Sequence, residues 1–357
     1  MDTDRLNVAD YERLAEQALE PGPYGYFAGG AGDERTLRDN VDAYGRWQLR
    51  PRMLVDVSGV STATTVLGTP VSMPLLVAPT AFHKLCASEG EGATARAAAA
   101  AGTVMCLSTL ATMAPAEVAA AAPEGRRWFQ VYVFGDEGIT RALVDQAIDC
   151  GFEALVLTVD APGAAGRRER DLRRRFEIPA GTGVPSLDAA FGGRAVTVAE
   201  AFAAMDASLT WRDLERIAGM SELPLLVKGV LTAEDAALAC EHGADGVIVS
   251  NHGGRQLDGV PATLDALPEV VEAVDDRFEV LVDGGIRRGT DVVKALALGA
   301  RAAFIGRPVL WGLAAGGEEG VAGVLELFRE ELMLALRLLG APTPQDVVRT
   351  HVQRAGS

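Results

Sequence analysis

The segment SNHGGRQLDG at 250–259 sets a histidine and an arginine three residues apart, His252 and Arg255. An imidazole can take up a proton near neutral pH and a guanidinium offers a planar fork to a carboxylate, so the pair suits base chemistry on a carboxylate-bearing ligand. Histidine is scarce: besides His252 the chain has His83, His242 and His351. His242 ends a helix in EHGADG and His351 stands in the tail, which makes both bystanders. His83 follows an apolar run closely and is a second candidate. DGGIRRG (283–289) and IGRP (305–308) put Gly284, Gly285 and Gly306 beside Arg287 and Arg307. Glycines let backbone N–H groups approach phosphate oxygens, arginines add charge-assisted hydrogen bonds, and Pro308 can open a short helix whose N-terminus faces the anion. The other reading of these segments is two tight turns with solvated arginines. Lys228 ends another apolar run, as either a Schiff-base nucleophile or a fixed positive charge beside a cofactor. The arginine-dense GRRERDLRRRF (166–176) is a solvated basic face from which Arg167 or Arg168 reaches back to the site.

Eight short apolar runs must position these groups: PLLVAP (74–79), VMCLS (104–108), WFQVYV (128–133), ALVLTVD (154–160), PLLVKG (224–229), GVIVSN (246–251), EVLVDG (279–284) and AAFIG (302–306). Runs this apolar suit strands covered on both faces, and the helical stretches between them supply parallel crossovers. Eight units make an α/β fold, a (β/α)8 TIM barrel, whose active site lies at the C-terminal ends of the strands. Those ends carry Pro79, Thr80 and Ala81; Ser108 and Thr109; Gln130 and Tyr132; Thr158 and Asp160; Lys228; Ser250, Asn251 and His252; Asp283, Gly284 and Gly285; and Gly306 and Arg307. Their accumulation around one rim indicates a polar ligand site. Residues 1–73 read as an N-terminal helical cap with a Gly-rich corner at 22–34, residues 74–340 as the barrel, 177–209 as a lid insertion in the fourth β/α unit, and 341–357 as a tail, all in one domain.

Length and charge agree with this. At 357 residues the chain suits two domains or one large barrel, and 48% hydrophobic with 23% charged residues is a globular profile. A net charge of −16 repels nucleic acid and anionic membrane, so an anionic ligand needs local arginines. Cys86, Cys106, Cys150 and Cys240 lack metal or disulfide spacing and read as buried hydrophobes in a reduced cytoplasmic chain. No His, Cys and acid cluster suggests a metal. No signal segment and no stretch of about 18 uninterrupted apolar residues is present, so no membrane association is expected.

Taken together, SNHGGRQLDG, LVDGGIRRGTDVVKALALGA, FIGRP, LTVDAPGAAGRRERDLRRRF and LPLLVKGV resemble the FMN-dependent L-2-hydroxy-acid oxidases and dehydrogenases, nearest the glycolate-type oxidases and extending to mandelate- or hydroxymandelate-type oxidases. The resemblance runs from about residue 10 to about 350. It implies that His252 removes the substrate hydroxyl proton as hydride leaves Cα, or the Cα proton in a carbanion scheme. Arg255 and Arg168 then bind the substrate carboxylate, Tyr26 and Tyr132 hydrogen-bond its carboxylate or hydroxyl, and Asp160 orients His252 and stabilises its imidazolium. For the FMN it implies Lys228 against the negative charge of the reduced flavin, with Ser108, Gln130, Thr158 and Ser250 on the ring edges or ribityl chain. The backbone of Pro79, Thr80 and Ala81 lies against the ring, and Asp283, Gly284, Gly285, Arg287, Gly306 and Arg307 hold the ribityl and phosphate.

Leu110 stands where plant-type glycolate oxidases have a tryptophan, which implies a roomier pocket for aryl or medium-chain acids. The loop APGAAGRR is one residue longer than in that subfamily and leaves Arg167 against Arg168 open. Ala81 matches the oxidases, where lactate monooxygenase and mandelate dehydrogenase types carry glycine. A haem domain and the basic apolar insertion of membrane-bound relatives are both missing, so a soluble enzyme is expected, with oxygen as acceptor, hydrogen peroxide as product and a homo-oligomeric, tetrameric assembly. The alternatives are a dehydrogenase or monooxygenase of the same family and, more distantly, a Schiff-base aldolase on Lys228.

Overall fold

The computed structural model describes residues 5–163, 165–179 and 181–356. Four residues of the expected cap, Ala164 in the APGAAGRR loop, Ala180 in the expected lid and the last residue of the tail lie outside them. The eight apolar runs all form strands: β1 Leu75–Val77, β2 Val104–Leu107, β3 Arg126–Val131, β4 Leu155–Thr158, β5 Leu225–Val230, β6 Gly246–Val249, β7 Glu279–Val282 and β8 Ala302–Ile305. They pair in parallel and in sequence order, and β8 pairs with β1 to close the barrel. Alternation along each strand sorts the side chains. Leu76, Cys106, Trp128, Val156, Leu226, Ile248, Leu281 and Phe304 pack together as the barrel filling, while neighbours such as Val77, Leu107, Phe129, Leu157, Val227 and Val249 pack with the helices.

The filling is sealed at one end by a hairpin, Thr64–Val66 with Thr69–Val71, whose Val66 and Val71 join the interior cluster. The cap is therefore only partly helical. Helices Val8–Ala18, Pro21–Ala28 and Arg35–Asp42 build it, but residues 50–63 are irregular and the hairpin follows. The expected Gly-rich corner begins as a helix, because Pro21 fixes the first turn, and the corner itself is 29–34.

The segment 177–209, the expected lid, is more structured than its Gly, Pro and Ser content suggests. Helices Pro185–Ala190 and Val198–Ala204 stand within it; Thr197 accepts from Glu200 N and caps the second. The last helix runs Arg307–Leu339 and kinks where Gly316 and Gly317 leave helical geometry. Among the described residues no helix is long and apolar enough to cross a membrane.

Candidate active site

At the C-terminal ends of the strands lies a cavity of about 530 Å³, lined by residues from all eight strand ends, although Thr109, Asp160, Ser250 and Asn251 do not themselves line it. His252 follows β6 in the left-handed conformation, φ 57°, at the head of the turn His252-Gly253-Gly254. Its Nδ1 meets Asp160 Oδ1 at 2.9 Å, which places the proton on Nδ1 and leaves Nε2 for the cavity. Burial works to raise the Asp160 carboxyl, but His252 and Lys228 outweigh it and hold it below the usual carboxylate range.

Lys228 at the end of β5 is buried, donates to Ser250 Oγ at 2.8 Å and stands 3.2 Å from Asp283 Oδ2. Burial alone lowers an ammonium; here the Asp283 and Asp160 carboxylates reverse that and raise it. Ser250 Oγ also accepts from His252 N at 3.1 Å, so one hydroxyl joins the cation to the histidine turn. Gln130 Oε1 accepts from Thr109 N at 3.1 Å and Ser108 Oγ at 3.3 Å. Thr80 is fixed by His83, whose Nε2 lies 2.6 Å from Thr80 Oγ1 and whose Nδ1 lies 3.0 Å from Thr94 Oγ1. His83 is thus a buried scaffold, while His242 pairs with Glu215 and His351 accepts from Val348 N, both away from the cavity.

The basic wall consists of Arg255, Arg287 and Arg307, all facing the cavity. No carboxylate lies within salt-bridge distance of any of the three among the described residues. Burial, with Arg255 and Arg287 adding repulsion, pushes Arg307 down to about 9, and burial lowers Arg255 and Arg287 as well. Such a cluster calls for an anion. Arg307 spends its nitrogens on the carbonyls of Phe27, Gly29 and Gly253, so it serves the cavity through charge and through the helix N-terminus it opens. Arg255 Nη1 is anchored on Tyr26 O at 2.5 Å and Gly29 O at 3.2 Å. The guanidinium carbons of Arg255 and Arg168 stand 4.8 and 5.2 Å from the Tyr26 ring centre. Arg167 also lines the cavity, but it is Arg168 that joins Arg255 on this ring and donates to Asp171 Oδ2 at 2.7 Å.

The rest of the lining includes a set of apolar side chains. Leu110 is there as expected, together with Phe82, Leu172, Phe176, Ile178, Val198 and Phe202. Phe202 lies 6.4 Å from the Tyr132 ring, and burial raises the Tyr132 phenol far above its ordinary range, which keeps it a hydrogen-bond donor. Of these apolar residues, Ile178, Val198 and Phe202 belong to the segment 177–209, and the sequence signals only the last two, through the Thr197 capping box that marks their helix.

The residues fit a flat, hydrogen-bonding ring with a phosphate tail, as in FMN. Gln130 Nε2 and Asp283 Oδ1 are buried without a partner among the described residues. Gly284 and Gly285 hold φ of 96° and 78°, and Gly306 joins them and the arginines on the cavity wall. Among the described residues no group of three His, Cys, Asp or Glu could hold a metal ion.

The FMN-dependent dehydrogenase family matches residues 15–354. An L-lactate oxidase of Nostoc sp. is 50% identical over 352 residues, covering 96% of each chain. A glycolate oxidase of Spinacia oleracea is 49% identical, covering 97% of this chain and 95% of its own. A solved mandelate oxidase with (S)-2-phenylpropionate superposes with a TM-score of 0.89 at 41% identity, covering 98% of both chains.

Proposed function

The chain belongs to the FMN-dependent dehydrogenase family, and from that premise we propose that it oxidises an (S)-2-hydroxy acid to the 2-oxo acid while oxygen is reduced to hydrogen peroxide, with aryl or medium-chain acids favoured over glycolate. The observation that carries the reading is His252, paired with Asp160, facing a cavity in which Arg255, Arg287 and Arg307 have no carboxylate within salt-bridge distance among the described residues. FMN bound there supplies a two-electron acceptor. Gly284, Gly285, Arg287, Gly306 and Arg307 hold its phosphate end, and Gln130, Thr158 and Ser108 bond its polar edges.

Arg255 and Arg168 grip the substrate carboxylate, with the Tyr26 ring stiffening both guanidiniums. Tyr132 donates to the substrate's oxygen. His252 Nε2 takes the proton, from the hydroxyl in a hydride route or from Cα in a carbanion route, and Asp160 stabilises the imidazolium that results. Lys228 holds its positive charge against the negative charge that accumulates as the substrate loses electrons. Apolar Leu110, Phe176, Ile178, Val198 and Phe202 exclude water and surround the substrate's side chain.

The test is anaerobic mixing of the purified protein with glycolate, lactate, 2-hydroxyoctanoate and mandelate, followed by air. Bleaching of the yellow colour by the bulkier acids, and its return with peroxide on aeration, is expected. Bleaching without return in air points to a dehydrogenase; no bleaching by any acid rejects the reading.

A further inference from the structure

The turn that carries His252 is held from outside the barrel. His252, Gly253 and Gly254 are three consecutive left-handed residues, with φ of 57°, 61° and 75°. Glycine enters that region freely, whereas histidine does so at a cost that its surroundings must cover. The buried side chain of Asn40, on the cap helix Arg35–Asp42, reaches the base of this turn. Asn40 Nδ2 donates to Asn251 Oδ1, and Asn251 Nδ2 donates to Asn40 Oδ1, each at 2.8 Å.

The rest of each amide is used at the same place. Asn251 Oδ1 accepts from Gly254 N at 3.1 Å, and its Nδ2 donates to Pro261 O at 3.1 Å. Asn40 Oδ1 also accepts from Thr263 N at 3.3 Å. The Asn40 backbone lies against Gly285, where a Cβ would meet Asn40 O at 1.9 Å. One residue of the cap therefore touches both the turn of His252 and the glycine loop after β7.

We infer that Asn40 and Asn251 are positioning residues for His252, a reciprocal amide pair that fixes the left-handed turn and hence the reach of the imidazole to a ligand held by Arg255. The inference rests on the reading of His252 as the base. A neutral, self-complementary pair suits the place. Each amide donates to the other's oxygen and the pair puts no charge beside His252, whereas a carboxylate at either position sets an oxygen against a carbonyl with no proton between them. The cap and this loop are also joined farther out, where Thr36 N donates to Asp258 Oδ1 and Gly259 N donates to Thr36 Oγ1, each at 2.8 Å. That second joint supplies a control for general loosening of the interface.

The test compares holoenzymes: wild type, Asn40→Ala, Asn251→Ala, the double variant, and Thr36→Val. The readouts are the rate of flavin reduction per bound FMN, the substrate Kd from its saturation, and amide hydrogen exchange across 250–263. The Asn variants are expected to reduce flavin about 10–100-fold more slowly with Kd nearly unchanged, since small misplacements of a reacting group cost that much. Exchange at 252–254 should rise, and the double variant should be no slower than either single one. Thr36→Val should lower the melting temperature while leaving the rate per flavin close to wild type.

The inference is overturned if the Asn variants keep the wild-type rate per flavin, if Thr36→Val slows as much as they do, or if exchange at 252–254 is unchanged. Should Asn40→Ala fail to accumulate as holoenzyme, Asn40→Asp replaces it under the same criteria, because it keeps the size and both acceptor contacts but loses the donor. A wild type that no 2-hydroxy acid bleaches counts against the proposed function instead, and the exchange readout then judges the pair alone.

Discussion

His252 Nδ1 and Asp160 Oδ1 lie 2.9 Å apart although 92 positions separate them in the chain. Asp160→Asn keeps the size but gives up the charge that stabilises an imidazolium, so the rate of flavin reduction should fall ~10²–10⁴-fold with FMN retained. An undiminished rate in stopped-flow removes the pair from the mechanism. The same carboxyl carries a pH signature. Its folded pKa lies below its unfolded value of about 3.9, so its contribution to stability is complete above that pH and is lost as pH falls through the folded value. The stability difference between wild type and Asp160→Asn should shrink as pH falls below about 4. A difference that stays constant in acid contradicts the lowered pKa.

Arg255→Lys should not be conservative. One nitrogen of the guanidinium is tied to Tyr26 O and Gly29 O, which leaves the others for the ligand. An ammonium on a flexible stem cannot do both, and the expected result is a KM raised about 10–100-fold with a lower kcat. If steady-state kinetics leave both constants unchanged, the carboxylate is bound elsewhere.

Leu110→Trp adds bulk to the apolar lining of the cavity. Apolar burial is worth roughly 25 cal/mol per Å², so a bulky acid should lose ~1–3 kcal/mol relative to glycolate in the variant. Specificity constants for glycolate, lactate, 2-hydroxyoctanoate and mandelate measure this. An unshifted ranking means that Phe176, Ile178, Val198 and Phe202 set the pocket without Leu110.

At Gly285 a Cβ would stand 1.9 Å from Asn40 O and 2.3 Å from Asn40 C, and φ is 78°. Gly285→Ala must push the cap helix away, and should lower the melting temperature by several degrees and weaken FMN retention. Excess FMN should restore part of the loss, because a ligand of the folded state stabilises it. A variant that melts with wild type refutes the close approach.

Lys228 is held as an ammonium by Asp283 and Asp160, and a Schiff base needs the free amine. Incubation with a 2-oxo acid and borohydride should leave the intact mass unchanged. A trapped adduct on Lys228 would restore the aldolase reading.

The strands and the polar rim were legible because parallel strands buried on both faces read as apolar runs, and whatever follows each run must sit at one end of the barrel. The apolar wall was not legible. Phe202 and Val198 belong to an insertion with no period of its own, and only the folded chain shows that their helix leans over Tyr132. His83 looked like a candidate base and is a prop for Thr80, a difference decided by Thr94 at a distance no local pattern reveals. Arg307 follows β8 and so stands at the rim, but two of its three carbonyl partners come from the cap helix Pro21–Ala28 and the residue that follows it, and the third is Gly253.

The cap leaves the ribosome before the barrel units it is joined to. Tyr26 and Phe27 offer carbonyls to Arg255 and Arg307, Thr36 meets Asp258, and Asn40 meets Asn251, all across more than 200 positions. Successive β/α units can form while synthesis proceeds, and the Tyr26 ring meets Phe82, Arg168 and Phe176 early, yet Asn251, Arg255, Asp258 and Arg307 exist only once β6 and β8 have been made. Nascent chains that stop short of residue 250 leave the carbonyls of Tyr26 and Phe27 and the amide of Asn40 without these partners. The joints around His252 are therefore the last to close, through long-range contacts.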